Sequence, residues 1–182
     1  AVSVIEVDDT LKALQDLAHF HRMRFSIPVI AVTGSNGKTT TKDMTAAVLS
    51  TKFKVRKTEK NHNNEIGLSQ TLLALDGTDE ACVVEMGMRG FGQIAQLAAV
   101  AAPTIGIVTN VSATHIGLLG SLENIAKAKS ELISSLSPED VAILNEDDPY
   151  VRKMVSCTGG RVIGYGIEGS HTVQAAQIQY EP

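Results

Sequence analysis

The sequence predicts an α/β fold, with a P-loop and a mostly parallel sheet covered by helices on both faces. Short apolar runs rich in β-branched residues recur at 28–32, 82–85, 105–108, 141–144 and 161–164. They lack the polar alternation of a strand with one wet face, as expected of parallel strands buried on both sides. Between them lie segments of helical period, which gives the β–α alternation of such a sheet.

In order, strand 28–32 is expected to feed a helix over 39–49. A short strand at 53–56, a polar loop at 61–65 and a helix over 66–75 follow. Strand 82–85 precedes a helix over 92–100, and strand 105–108 ends at Thr109-Asn110. The alternation closes with helix 121–136, strand 141–144, a short helix 149–155 and strand 161–164.

The ends read differently. Val2 to Val7 is strand-like and Asp8-Asp9-Thr10 starts a helix. Leu11, Leu14, Leu17 and Ala18 form that helix's apolar face, and His21 to Arg24 form a connector. Residues 172–180 alternate like an edge strand. The expected division places 1–27 at the end of one domain and 28–182 in a second, which stops without a closing helix and is expected to be incomplete. Ala1 in place of a starting methionine hints at a piece of a larger protein.

With 182 residues, 43% hydrophobic and 20% charged, the chain has a globular balance, and a net charge of −4 argues against a nucleic-acid partner. The basic run Lys52, Lys54, Arg56 and Lys57 reads as a solvated strand edge. Cys82 and Cys157 match no metal-ligand spacing, and Cys82 reads as a small core residue. No run approaches the ~20 apolar residues of a membrane span, and no signal peptide opens the chain. A cytoplasmic monomer is expected, without membrane insertion.

Chemistry concentrates at the ends of the expected strands. Gly34, Ser35, Asn36, Gly37, Lys38, Thr39 and Thr40 lie between the first buried strand and its helix, where an α/β sheet binds phosphate. The glycines let amides turn inward, the helix N-terminus adds partial positive charge, and Lys38 adds a full one. The Thr39 hydroxyl would reach a magnesium ion on the phosphates. Glu85 ends the strand 82–85, and a carboxylate there is a natural magnesium ligand. At ~100° per residue, Leu122, Ile125, Leu132, Ile133 and Leu136 share one helix stripe, and Lys129 falls in its middle. A lysine there must snorkel, find a partner or lose its charge.

These motifs, in this order, resemble the Mur ligase family, which also includes folylpolyglutamate synthases. The tight Gly34-Ser35-Asn36-Gly37-Lys38-Thr39-Thr40 loop carries the resemblance, with Val32 standing where the general P-loop has glycine. So do the segments 61–68, 85–94, 109–115, 120–129 and 144–149. The segment Asn61-His62-Asn63-Asn64-Glu65-Ile66-Gly67 is similar to the branch whose intact members join D-alanyl-D-alanine to UDP-N-acetylmuramoyl-tripeptide. Lys60 and Ser69 depart from it, where glycine and proline are usual, and Gln93 stands where glutamate is more frequent.

The resemblance implies an ATP-dependent amide ligase of peptidoglycan precursor synthesis, working through an acyl phosphate with two magnesium ions. It implies that His115 helps hold the second magnesium and that Lys129 is carbamylated by carbon dioxide to become a metal ligand. Lys38, Lys129 and His115 would be catalytic, and Thr39, Glu85, His115 and Lys129 would hold metal. Asn63 and Asn64 would contact the substrate, and Asn145 the nucleotide. Asp147 or Asp148 could serve the nucleotide or cap the next helix. Residues 1–27 would end a UDP-sugar-binding domain, and 28–182 would be the central ATP-binding domain. The C-terminal ligase domain would be absent, leaving this chain inactive alone. The alternatives are another Mur or folylpolyglutamate-type ligase, or a non-catalytic P-loop module.

Overall fold

A computed structural model describes residues 3–179 apart from residue 115. Its elements run α1 (Thr10–Arg22), β1 (Val29–Thr33), α2 (Lys38–Leu49), β2 (Val55–Lys57), α3 (Glu65–Leu73), β3 (Ala81–Glu85) and α4 (Gln93–Ala101). Then come β4 (Ile105–Val108), α5 (Ile116–Leu119), α6 (Leu122–Ser134), β5 (Val141–Asn145) and α7 (Pro149–Arg152). A 3₁₀ turn (Lys153–Cys157), β6 (Arg161–Gly166) and β7 (Val173–Gln174) finish the chain.

The described strands form one seven-stranded sheet, ordered β2-β3-β1-β4-β5-β6-β7 and parallel at every pairing. Every residue of β1 and β3 is buried, which is why these segments tolerate no polar alternation. Alternate residues of β1 serve opposite faces. Val29 and Ala31 join the larger core under α1, α3, α4 and α6, whereas Ile30 and Val32 meet Ala46 and Leu49 of α2. Helices cover both faces, as expected, but unevenly. Beyond α2 the second face leaves Ile105 and Ile143 half-buried.

The helix starts follow capping chemistry. Asp9 accepts from the amides of Leu11 and Lys12, Asn64 from Gly67, Ser121 from Asn124, and Asp148 from Tyr150 and Val151. Asp148 is therefore a cap, while Asp147 accepts from the amides of Ile167 and Glu168. The last two residues of the basic run lie on edge strand β2, where Arg56 pairs with Asp79 at 3.1 Å and Lys57 with Asp43 at 2.6 Å. Cys82 is a core residue, and burial pushes its thiol up to about 12. Among the described residues no helix is long and apolar enough to cross a membrane.

Both ends correct the sequence expectation. Residues 3–7 form no strand; Val4 and Ile5 are exposed, with no neighbouring strand among the described residues to share a ladder. Val2 and Tyr180 lie outside the described residues. The expected edge strand shrinks to the two residues of β7, and the left-handed φ of 56° at Gln177 ends the extended run.

The face that α1 buries is only partly the expected one: Ala18 is buried as expected and Leu14 is half-buried. Leu11 and Leu17 are exposed, while Gln15, Ala18 and Arg22 are buried. Arg22 belongs to the helix rather than to a connector. Its guanidinium donates to the carbonyls of Ala101, Phe25 and Ile27, at 3.0, 2.6 and 3.2 Å. A cation at the C-terminus of α4 also meets the negative end of that helix dipole. We expect Arg22→Met to lower the unfolding free energy by about 3 kcal/mol, because the carbonyls stay buried without their donor. Urea denaturation checks this, with an unchanged m value; a loss below about 0.5 kcal/mol would show the clamp to be idle.

Candidate active site

In a doubly wound sheet the ligand crevice lies beyond the carboxyl ends of the strands, where the order reverses around the first strand. Here β1 leads to β2 and β3 on one side and has β4 on the other. The loop after β1 is held against the end of β4. Gly34 has a φ of 151°, and a Cβ there would lie 1.8 Å from Thr109 Oγ1, so only glycine fits. The amide of Ser35 donates to Asn110 O at 2.9 Å, and that of Asn36 to Asn110 Oδ1 at 2.9 Å. Asn36 O accepts from Thr109 Oγ1 at 2.7 Å and Asn110 Nδ2 at 3.0 Å. Ser112 pairs with Ser35 and Asn36.

The structure thus turns the amides of Ser35 and Asn36 toward β4. The first amides of α2 point onward instead: the helix starts behind left-handed Gly37, and among the described residues no side chain caps it. A helix N-terminus left in that state favours an anion. Lys38 Nζ meanwhile donates to the carbonyls of Gly34 and Ser35 at 3.0 and 3.2 Å. Thr40 is exposed on the first turn.

Glu85 ends β3 with 1% exposure, and a carboxylate so buried needs donors. It has two: Thr39 Oγ1 reaches Oε2 at 2.8 Å, and Asn63 Nδ2 reaches Oε1 at 2.7 Å. Asn63 lies directly on Gly87, whose amide donates to Asn63 O at 2.9 Å. A Cβ at Gly87 would lie 2.7 Å from Asn63 Oδ1. Asn64, besides capping α3, lines the same space.

That space is a cleft of about 610 Å³, walled by Gly34, Lys38, Asn63, Asn64, Arg89 and Lys129, among others. Lys129 is 3% exposed and has no hydrogen-bond or ion-pair partner among the described residues. Burial, with the nearby charge of Lys38, lowers its amine to about 7. The structure therefore brings Lys38, Thr39, Glu85, Asn63, Asn64 and Lys129 together. Asn145 sits at the end of β5, its side chain joining Thr109 O at 2.8 Å and the Asp147 amide at 3.1 Å. His115 lies outside the described residues.

Magnesium fits the donor set. Thr39 and Glu85 offer hard oxygens side by side, and magnesium takes its remaining ligands from phosphate and water. Among the described residues no cluster of three or more His, Cys, Asp or Glu forms a ready-made cage, so an ion here would need phosphate oxygens. The sequence reading gave no role to the anchors Asn110 and Ser112 or to the cleft residue Arg89; Asn110 was visible as the end of a strand and as part of the segment 109–115.

Comparison with known proteins settles the family. The Mur ligase middle domain matches residues 32–182. The chain belongs to the Mur ligase family. It is 53% identical over 164 residues to a UDP-N-acetylmuramoyl-tripeptide–D-alanyl-D-alanine ligase of Synechocystis sp., covering 90% of this chain and 36% of that protein. It is 45% identical over 172 residues to the ligase of the same name in Bacillus subtilis, covering 94% and 37%. The crystal structure of the MurF ligase from Thermotoga maritima in complex with ADP superposes with a TM-score of 0.84 at 33% identity. That match covers 93% of this chain and 40% of the other. The chain thus spans little more than a third of the curated Mur ligase relatives it matches.

Two departures from the usual Mur ligase pattern now have a physical reading. Lys60, at a usual glycine position, adopts a left-handed φ of 49°, a conformation that glycine enters freely. Ser69, at a usual proline position, is buried within α3 and donates to Glu65 O at 2.7 Å.

Lys129 gives a pH signature. Its amine drops from 10.5 in the unfolded chain to about 7 in the folded one, so between those values the unfolded state holds more protons. Stability should therefore rise with pH across that window, by up to about 1.4 kcal/mol per pH unit, and be flat below it. Chemical denaturation in carbon-dioxide-depleted, magnesium-free buffer should show this slope, and Lys129→Met should remove it. A wild-type profile parallel to that of Lys129→Met would refute it.

Proposed function

We propose that this chain is the ATP-binding part of a cytoplasmic ligase that joins D-alanyl-D-alanine to UDP-N-acetylmuramoyl-tripeptide during peptidoglycan precursor synthesis. The reading is carried by one observation: the N-terminus of α2 with Lys38 and a Lys129 without a partner among the described residues line one cleft, beside a buried carboxylate bonded to Thr39. It is supported by the identity to ligases of that name and by the fold shared with an ADP-bound MurF. Residues 1–27 would lead in from the sugar-nucleotide domain.

The reaction needs positioning and charge neutralisation rather than a nucleophilic side chain. The substrate carboxylate attacks the γ-phosphorus of ATP and ADP leaves, giving an acyl phosphate. The amine of D-alanyl-D-alanine then attacks the acyl carbon and phosphate leaves. Lys38 exchanges the carbonyls of Gly34 and Ser35 for phosphate oxygens, and the first amides of α2 bind the same anion. Asn63 and Asn64 orient the carboxylate-bearing substrate, and Asn145 adjoins the nucleotide. Thr39, Glu85, His115 and a carbamylated Lys129 would hold two magnesium ions, which would supply charge neutralisation at the phosphates and the acyl oxygen. A low amine pKa favours that modification, because the neutral amine is the form that reacts with carbon dioxide.

ATP with magnesium should stabilise the chain by about 2.7 kcal/mol at a hundredfold excess over Kd, and Lys38→Ala should abolish the effect. Equal thermal shifts in both proteins would refute the assignment. The intact ligase should release phosphate only when D-alanyl-D-alanine and UDP-N-acetylmuramoyl-tripeptide are both present, whereas the 182-residue chain should release none. Turnover by the chain alone would show that the further domains are dispensable.

A further inference from the structure

The phosphate-loop helix carries a second lysine that this chemistry does not use. Lys42 lies one turn beyond Lys38, in the buried stripe of α2 with Ala46, and its side chain is 1% exposed. A buried ammonium must find oxygen acceptors or give up its proton. Lys42 Nζ donates to the carbonyl of Thr58 at 2.9 Å and to that of Lys60 at 3.0 Å. Asp43 lies 3.4 Å away and pairs more closely with Lys57, at 2.6 Å.

Both acceptors belong to the connection between β2 and α3, which ends in Asn61–Asn64. Lys60 holds it in a left-handed turn, with a φ of 49°, uphill for any residue with a Cβ. The same connection grips Glu85 twice. Thr58 Oγ1 accepts from the Glu85 amide at 3.2 Å, and Asn63 Nδ2 donates to the Glu85 carboxylate at 2.7 Å. A continuous line of polar contacts therefore runs from α2 through Lys42 to the 58–64 loop and on to Glu85.

We infer that Lys42 is a positioning residue whose ammonium ties the 58–64 loop to the phosphate-loop helix. That tie holds Asn63 and Asn64 in the cleft. Lys42 is not part of the cleft wall. The inference rests on the proposed function only in taking Asn63 and Asn64 as contacts to the sugar-nucleotide substrate.

The test compares wild type with Lys42→Met, which keeps the length of the side chain and removes its donors. In the intact ligase, the KM for UDP-N-acetylmuramoyl-tripeptide should rise about tenfold while that for ATP stays within about twofold. In the 182-residue chain, amide exchange at residues 61–65 should quicken about tenfold, with β1 and β3 unchanged. Should Lys42→Met fail to fold, Lys42→Gln, too short to span both carbonyls, carries the same expectations. A variant with a lowered Tm but unchanged KM values and unchanged loop exchange would overturn the inference, and so would an equal rise in both KM values. If the wild-type ligase makes no product, it is the proposed function that fails. Loop exchange alone then decides the role of Lys42.

Discussion

A carboxylate at the end of a strand buried on both faces has no water to solvate it and must be met by donors from the chain. Glu85 occupies such a place, and its two oxygens are taken by Thr39, from the first turn of α2, and by Asn63, from the loop before α3. These donors come from separate connections, so satisfying one acid registers the phosphate loop and the substrate loop against the same strand end. Gly87 completes the arrangement by letting Asn63 lie against the backbone just past the strand. Displacing any member strands a buried charge, at a cost of several kcal/mol by general experience with buried ion partners.

The phosphate loop depends on a second registration, against β4. Ser35 and Asn36 give their amides to Asn110, and Gly34 passes so close to Thr109 that no side chain could stand there. This divides the labour within the motif. Its first half is a hinge-free attachment to the neighbouring strand, and its second half, from Gly37 onward, presents Lys38 and the open amides of α2. A sequence motif names both halves alike. Only the hydrogen bonds separate the residues that hold the loop from those that can meet a ligand.

Much of the fold was legible because burial on both faces leaves a simple mark. Apolar runs gave the central strands, and the placement of Glu85 and Lys129 followed from strand ends and a 100° helical period. The same period would have shown Lys42 in line with Ala46 on α2, but three adjacent threonines blur that stripe. The error on α1 has a related cause. Its buried face carries Gln15 and Arg22 beside Ala18: Gln15 accepts from the Gln96 side chain, and Arg22 meets the carbonyl at the end of α4. Apolarity therefore pointed to exposed Leu11 and Leu17. The left-handed turn at Lys60 is met from a distant part of the chain, by the ammonium of Lys42 on its carbonyl. Tertiary compensation is invisible to a local rule.

The charges of the cleft complete the logic. Lys38, Arg89 and Lys129 lie on its wall, and Glu65 is the acid among the wall residues. Lys38 folds back on two loop carbonyls, a weak substitute for an anion. Lys129, buried and beside that charge, is driven toward the neutral amine. The two lysines are thus coupled: whatever draws Lys38 toward a phosphate also changes the field that Lys129 feels, in the opposite sense to burial. An anionic ligand relieves the repulsion between them when both are charged. In its absence the cost of burying Lys129 is met by releasing a proton that the unfolded chain keeps. A site built so is destabilising when empty and self-consistent when an anion is present, which is the condition for binding energy to act on the reacting groups rather than on the fold.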